Sequence, residues 1–168
     1  MSVGEGLVVQ RGEGEPISIG QMTALIGRAE WSAGAYNVMD QIMAPRLMSA
    51  VHTHAVEDQV AFVLEGTMVC WIDGRELEVR AGGYALRPAA IPHAMWNPAQ
   101  EPVRFLEITS PATRFQEYVR ALSALIDSGE ASADTVAALA SEYGMTFHPQ
   151  QTGELSSRLG LPVGGFWK

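Results

Sequence analysis

The chain has 168 residues, of which 47% are hydrophobic and 18% are charged, a composition typical of one globular domain rather than of a disordered protein. Its net charge of −8 argues against nucleic acid and anionic membrane surfaces as partners. We expect a cytoplasmic protein, because it has a single cysteine, no signal-peptide pattern and no apolar run near the ~20 residues of a membrane span.

The N-terminal part of the chain offers few strand signals. Residues 1–16 are rich in Gly and Glu around one short apolar run, so we expect an arm that is loosely held or pairs with a sheet edge. Residues 17–26 form a short apolar stretch, and a turn is predicted at 27–30. The next predicted strand begins after Gly34 and is closed by Pro45.

Residues 49–109 alternate short apolar runs with turn signals and show no helical period. This pattern predicts an all-β sandwich or barrel. Asp73-Gly74 is a strong hairpin signal, because both residues tolerate a positive φ. Without an internal repeat we expect one barrel, whose predicted strands cover residues 50–54, 59–64, 68–72, 77–79, 84–87, 94–96 and 103–109.

Three histidines fall within this predicted barrel. His52 and His54 are two residues apart, so on a strand both rings point to the same face of the sheet. His93 lies on a later predicted strand. Two imidazoles on one strand and a third on another can hold a divalent transition metal.

The pattern changes to a helical period after the barrel. Ser110 is predicted as an N-cap with Pro111 at the first helical position, and the first helix should end at Gly129. A second helix is predicted from Ser132 to Gly144, and the chain beyond is turn-rich. We therefore expect a barrel with an N-terminal arm at residues 1–110 and a helical extension at 111–168, packed on the barrel or on a partner.

The two histidine segments resemble the motifs of the cupin family. The first cupin motif has two histidines, a Glu and a Gly, and the matching positions here are His52, His54, Gln59 and Gly66. The second has the matching positions Gly82, Pro88, His93 and Asn97, with Ala90 in place of a glycine. The resemblance covers roughly residues 35–110. It implies a single β-barrel of the jelly-roll type that holds a metal through His52, His54, residue 59 and His93.

Gln59 replaces the carboxylate of the family's ligand set. With three neutral imidazoles and Gln59, a divalent ion keeps its full +2 charge, which should favour an anionic ligand such as an enolate, a phenolate or a carboxylate. Gln59 could instead lie beside a histidine without binding the metal. Glu57 and Asp58 are the nearest carboxylates to position 59. Glu57 has the same strand parity as Gln59 but lies in the preceding turn, and Asp58 has the opposite parity, so both are expected to be solvated turn residues.

The pocket is expected to have apolar walls and few fixed charges, which suits small, partly hydrophobic molecules. Met95 shares its strand face with His93 and should line this pocket, whereas Trp96 should face away. Met43 and Phe105 are core positions with a possible second role in the pocket, and Cys70 should be a buried hydrophobic residue.

Three functions are compatible with this sequence. The resemblance implies a metal-dependent dioxygenase similar to small quercetin 2,3-dioxygenase-like cupins, with Glu57 as the nearest candidate base. A non-redox cyclase or isomerase of the polyketide type and a small-molecule-binding barrel without turnover are the alternatives. The cofactor is expected to be one divalent transition metal (Fe, Ni, Cu, Mn or Zn), and the partners a small-molecule substrate and a second copy in a homodimer.

Overall fold

The computed structural model describes residue 6 and residues 8–26, 32–112 and 114–164. Eleven strands are present among them. They are β1 (Glu15–Ile19), β2 (Met22–Ile26), β3 (Asn37–Met43), β4 (His52–His54), β5 (Asp58–Glu65), β6 (Thr67–Ile72), β7 (Arg75–Arg80), β8 (Tyr84–Arg87), β9 (His93–Trp96), β10 (Val103–Ser110) and β11 (Met145–Phe147). The helices are α1 (Phe115–Asp127), α2 (Ala133–Glu142) and α3 (Pro149–Leu159).

The strands form two antiparallel sheets that enclose one apolar core. The first sheet has the order β1-β2-β3-β10-β5-β8, and the second has the order β11-β4-β9-β6-β7. Alternate residues face inward, as the alternating burial along β3 and β10 shows. The fold is therefore a single barrel of the jelly-roll type with a C-terminal helical extension, as the sequence predicts.

The turns follow the local signals in the sequence. Asp73 and Gly74 both have positive φ between β6 and β7, as the hairpin prediction requires. Gly66 (φ 86°) connects β5 and β6, and a Cβ there would lie 3.3 Å from the carbonyl oxygen of Pro102. The Asn97 amide donates to the carbonyl oxygens of Ala44 (3.1 Å) and Glu101 (2.8 Å), so that it organises the turn after β9.

The end of the N-terminal arm pairs with a sheet edge. Glu15 and Pro16 belong to β1, which forms a hairpin with β2 that pairs with β3 at the edge of the larger sheet. Val8 and Val9 of the apolar run are exposed and lie outside the strands. The predicted turn at 27–30 lies outside the described residues.

The first helix starts later than predicted, at Phe115. Ser110 does not cap it, because Ser110 is the last residue of β10 and pairs with Asp58 of β5. The second helix agrees with the prediction: Ser132 caps α2 and forms a capping box with Thr135.

The segment after Met145 is not a run of turns. Residues Met145–Phe147 form β11, which pairs with the histidine-bearing strand β4. Helix α3 follows, with Pro149 in its first turn and Gly160 in the left-handed conformation at its end. Leu155 of this helix packs in one apolar cluster with Trp96, on the side of β9 opposite His93 and Met95.

The two other helices pack on the barrel of the same chain. α1 lies against β1, and α2 lies against β11. Tyr118 and Leu122 of α1 share an apolar cluster with Met39 of β3. None of the described helices is long and apolar enough to span a membrane.

The outer face of the larger sheet carries exposed apolar side chains, including those of Ile42, Tyr84 and Leu86. The homodimer stays a prediction.

Candidate metal centre

Strand pairing brings the three motif histidines together. His52 and His54 lie on β4, and His52 is directly opposite His93 of β9. One ligand atom from each of the three buried residues lies within 4.8 Å of the other two. The rings of His54 and His93 are parallel, with their centroids 5.6 Å apart. The histidine cluster that the spacing predicts is therefore present at one end of the barrel interior.

Each histidine is oriented by a contact at its Nδ1 atom. His52 Nδ1 donates to the carbonyl oxygen of Ala50 (2.9 Å), and His93 Nδ1 donates to that of Ile91 (2.9 Å). His54 Nδ1 lies 3.0 Å from Glu57 Oε2. Acceptors at all three Nδ1 atoms fix the tautomer and leave the three Nε2 lone pairs for the centre of the cluster. Metal-binding histidines are commonly oriented in this way.

Burial keeps the cluster neutral. Desolvation, and next the neighbouring His54, lower the pKa of His52 to about 3. Desolvation, with His52 and Arg87 nearby, also lowers the pKa of His93 well below its ordinary value. Both imidazoles are therefore unprotonated near neutral pH, which is the state that binds a metal ion.

Two features of the cluster fit a cation. His54 Nε2 is buried and has no hydrogen-bond partner among the described residues. His93 Nε2 faces the Oε1 atom of Gln59 at 3.2 Å, although its only proton is held at Nδ1 by Ile91. Two acceptor atoms thus face each other, an arrangement that a cation between them stabilises. The residues that would hold it are His52, His54, His93 and Gln59.

Gln59 is buried next to His93. Its side chain is 2% exposed and lies on the inner face of β5. Its amide oxygen reaches the same nitrogen of His93 that a metal would bind.

Replacing Gln59 with Glu should tighten metal binding by about tenfold or more. The carboxylate has nearly the same shape as the amide and adds a negative charge next to a divalent cation. The affinity is measured by competition with a chromophoric chelator. Equal affinity of the two proteins would place residue 59 outside the set of atoms that contact the metal.

Glu57 is buried rather than solvated. Its side chain is 2% exposed, and its carboxylate lies behind the ring of His54. Asp58, in contrast, is exposed and accepts a hydrogen bond from the backbone N–H of Ala89 (2.8 Å). Glu57 thus orients His54, and its role as a catalytic base stays a prediction.

Ala90 retains the backbone conformation of the glycine that it replaces. Its φ is 60°, in the left-handed region that glycine adopts most easily. Its backbone N–H donates to the carbonyl oxygen of His54 (2.7 Å), which ties the turn before β9 to β4. Ala90 thus forms this turn in a conformation that favours glycine.

A buried ion pair lies beside the cluster and was not found from the sequence. Arg87 of β8 donates from Nη2 to Glu107 Oε1 of β10, and each residue is 1% exposed. Burial acts to lower the pKa of Arg87, but the charge of Glu107 and the hydrogen bond to it outweigh that effect and raise it. The available signal was strand parity, because Glu107 occupies the same inward-facing alternation as Phe105.

One cavity of about 100 Å³, several times the space that one water molecule needs, is bordered by His52 of the cluster and by the ion pair. Its polar lining includes His52, Gln59, Arg87, Glu107 and Gln41. Its apolar wall includes Ile19 and the α1 residues Phe115, Tyr118 and Leu122.

The predicted pocket residues do not all reach this cavity. Met43 and Met95 line it. Phe105 lies in the core cluster and is not part of the cavity wall. The cavity also contains an ion pair and amides, so the expectation of few fixed charges holds only for its apolar wall.

Comparison with known proteins agrees with this fold. Residues 39–109 match the family described as cupin domain. KdgF from Halomonas sp. has a TM-score of 0.60 at 13% identity, over 67% of this chain and 99% of that one. The polyketide cyclase RemF from Streptomyces resistomycificus has a TM-score of 0.55 at 22% identity, over 65% of this chain and 81% of that one.

An oxalate decarboxylase from Lactobacillus farciminis, solved as a formate complex, has a TM-score of 0.55 at 14% identity. That match covers 88% of this chain and 39% of the other. At such identities these likenesses show the fold alone. A comparison with curated proteins finds no significant match.

Proposed function

We propose that this chain, whose residues 39–109 match the cupin domain, is a metal-dependent enzyme that carries out non-redox proton-transfer chemistry on a small, enolisable carbonyl compound. The observation that supports it best is one cavity lined by His52 of the histidine cluster, by Gln59 and by the buried carboxylate of Glu107. An isomerase or a cyclase uses this combination, because it needs a site for a developing oxyanion beside a proton acceptor.

The ligand set favours this chemistry. His52 and His93 are neutral, and Gln59 adds no charge. A divalent metal held there would supply a Lewis acid whose charge stabilises negative charge that develops on a substrate oxygen. No residue of that set can take a proton from carbon, so another group must do so.

Glu107 is the carboxylate that lines the cavity among the described residues. In the proposed reaction a C–H bond next to the substrate carbonyl breaks, its proton moves to a carboxylate oxygen of Glu107, and the electron pair moves to the carbonyl oxygen. Where a hydroxyl group adjoins the carbonyl, its proton moves to the enolate oxygen and Glu107 returns its own proton to the former carbonyl carbon, which gives an isomer. Alternatively the enolate carbon attacks a second carbonyl of the same molecule, and the new alkoxide takes the proton from Glu107 as the ring closes. Arg87 holds the carboxylate in place throughout.

The quercetinase-like dioxygenase is the second candidate. The apolar wall that α1 contributes, with Phe115 and Tyr118, suits a flat phenolic substrate. Burial raises the pKa of Tyr118, so that its phenol stays neutral in this wall. A metal at the same cluster would then serve a reaction that consumes dioxygen.

One experiment separates these functions. The metal-loaded protein is incubated with 2′,4′-dihydroxyacetophenone in D₂O under argon, and deuterium in the acetyl methyl group is followed by NMR. We expect incorporation that is lost in the metal-free protein and in Glu107→Gln. Oxygen uptake with quercetin and no exchange under argon would favour the dioxygenase. Neither activity in metal-loaded protein would leave a binding barrel without turnover.

A further inference from the structure

Two polar side chains in the cavity lining have buried atoms without a hydrogen-bond partner among the described residues. Arg87 uses Nη2 for Glu107, but its Nε–H has no hydrogen-bond partner among the described residues. The Oε1 atom of Gln41 is equally without one there. Arg87 is 1% exposed and Gln41 is 4% exposed, and both line the cavity.

Such atoms are costly to bury. A buried donor or acceptor without a partner is destabilising, and native proteins contain few of them. A methionine of similar size at position 41 would avoid that cost. A donor and an acceptor without partners in the lining of one cavity therefore point to a ligand that provides both partners.

We propose that Arg87 and Gln41 recognise the oxygenated head of the substrate. The Nε–H of Arg87 donates to a carbonyl or enolate oxygen, and the Oε1 of Gln41 accepts a hydrogen bond from a hydroxyl group of the same molecule. This inference rests on the proposed function for the location of the site and extends it to the substrate class. The substrate is a hydroxylated carbonyl compound with an apolar body.

The shape of the cavity supports that class. Ala61 and Ala85 lie in register with Glu107 on neighbouring strands, and their small side chains leave room for Arg87 to reach the carboxylate. Elsewhere in the lining Ile19, Phe115 and Leu122 offer only apolar surface. A molecule with both oxygens and a hydrocarbon or aromatic part matches this mixed lining.

The inference can be tested by binding alone. We would compare the affinities of 2′,4′-dihydroxyacetophenone and acetophenone by calorimetry, because both carry the carbonyl and only the first carries hydroxyls. The wild-type protein should prefer the dihydroxy compound by tenfold or more. Gln41→Met should reduce that preference by about tenfold and raise the melting temperature, since it removes an unsatisfied buried atom.

Thr109→Val is the matched control. The Oγ1 atom of Thr109 is also buried without a partner among the described residues, but Thr109 does not line the cavity. This variant should raise the melting temperature and leave the preference unchanged. Arg87→Lys keeps a cation beside Glu107 but lacks the Nε donor, so it should lower the affinity for both compounds alike by about tenfold.

The outcomes are distinguishable from those of the activity test. An unchanged preference in Gln41→Met, or a lower melting temperature, would overturn the inference, because Gln41 would then have a structural role. Equal affinity of Arg87→Lys and the wild type for both compounds would overturn the role of Arg87. The titrations are repeated with metal-free protein, so a loss of preference on substitution stands even where no turnover is found.

Discussion

Replacing His54 with Ala should abolish metal binding while the barrel still folds. His54 contributes the Nε2 atom that lacks a partner in the described part of the chain, and its ring is held by Glu57. Loss of an orienting partner alone typically weakens a metal site by about 10- to 100-fold, so loss of a ligand should weaken this one by at least a hundredfold. Elemental analysis of untagged protein after dialysis should show a fall from about one equivalent per chain to less than a tenth.

Two further variants make this result specific. His148→Ala removes the remaining histidine of the chain, which lies outside the cluster and contacts Thr53 instead, and it should retain full metal content. His52→Ala removes a ligand whose Nδ1 faces only a backbone carbonyl. Loss of metal from His52→Ala therefore could not be caused by an unpaired Glu57. Full metal occupancy in His54→Ala would show that the assignment of ligands is wrong.

The metal content of the wild-type protein also bears on the reaction. Zinc has no redox chemistry, so one equivalent of zinc would favour the non-redox reaction. Iron, copper, nickel or manganese would keep the dioxygenase as a serious candidate.

The histidine cluster could be predicted because its signals are local. His52 and His54 share a face by strand parity, and Gly66 and Asp73-Gly74 mark turns whose conformations few other residues adopt. The resemblance to cupin motifs supplied His93 as the third member. Its position opposite His52 depends on the pairing of β4 with β9, which no local pattern in either strand specifies.

The parts that the sequence did not predict depend on distant packing. Helix α3 has few apolar residues and a glycine, Gly153, in its middle, so its periodicity is weak; its contact with Trp96 is formed only in the folded chain. Strand β11 has three residues and is specified by pairing with β4. Ser110 was predicted as a helix cap because its sequence neighbours allow one, but in the structure it pairs with β5 as the last residue of β10.

The buried ion pair could not be predicted from the sequence for a similar reason. Arg87 and Glu107 are 20 residues apart in sequence and come from strands on either side of β5. The strand parity that Glu107 shares with Phe105 was an available signal that it faces inward, but a carboxylate is rarely buried without a partner, and its partner could not be identified from the sequence. For this reason the expected pocket lacked these charged residues.

Removing one member of this pair should strongly destabilise the protein. Glu107→Leu leaves the guanidinium of Arg87 buried without its counter-charge, which typically costs about 3–5 kcal/mol in the free energy of unfolding. The double variant Arg87→Met with Glu107→Leu should recover most of that loss, because an apolar pair of similar volume is often as stable as a buried ion pair. Urea unfolding of the wild type, both single variants and the double variant gives the coupling free energy.

The pair of Arg104 and Asp40 is the matched control. It also joins β10 to a neighbouring strand, but its side chains are partly exposed on the outer face, with N–O distances of 2.5 and 2.9 Å. Asp40→Leu should cost no more than about 1 kcal/mol, as surface ion pairs usually do. A cost below about 1 kcal/mol for Glu107→Leu as well would mean that Arg87 finds another partner or water, and that the pair is not fixed.

The double variant also separates stability from function. If it is as stable as the wild type, the pair is not needed for folding, and its presence beside the histidine cluster is explained by the reaction. We then expect metal content near one equivalent, because none of the four candidate ligands is changed, but no deuterium exchange, because the cavity has lost its carboxylate. Retained exchange in a folded, metal-loaded double variant would remove Glu107 from the reaction and return attention to Glu57, the buried carboxylate behind His54.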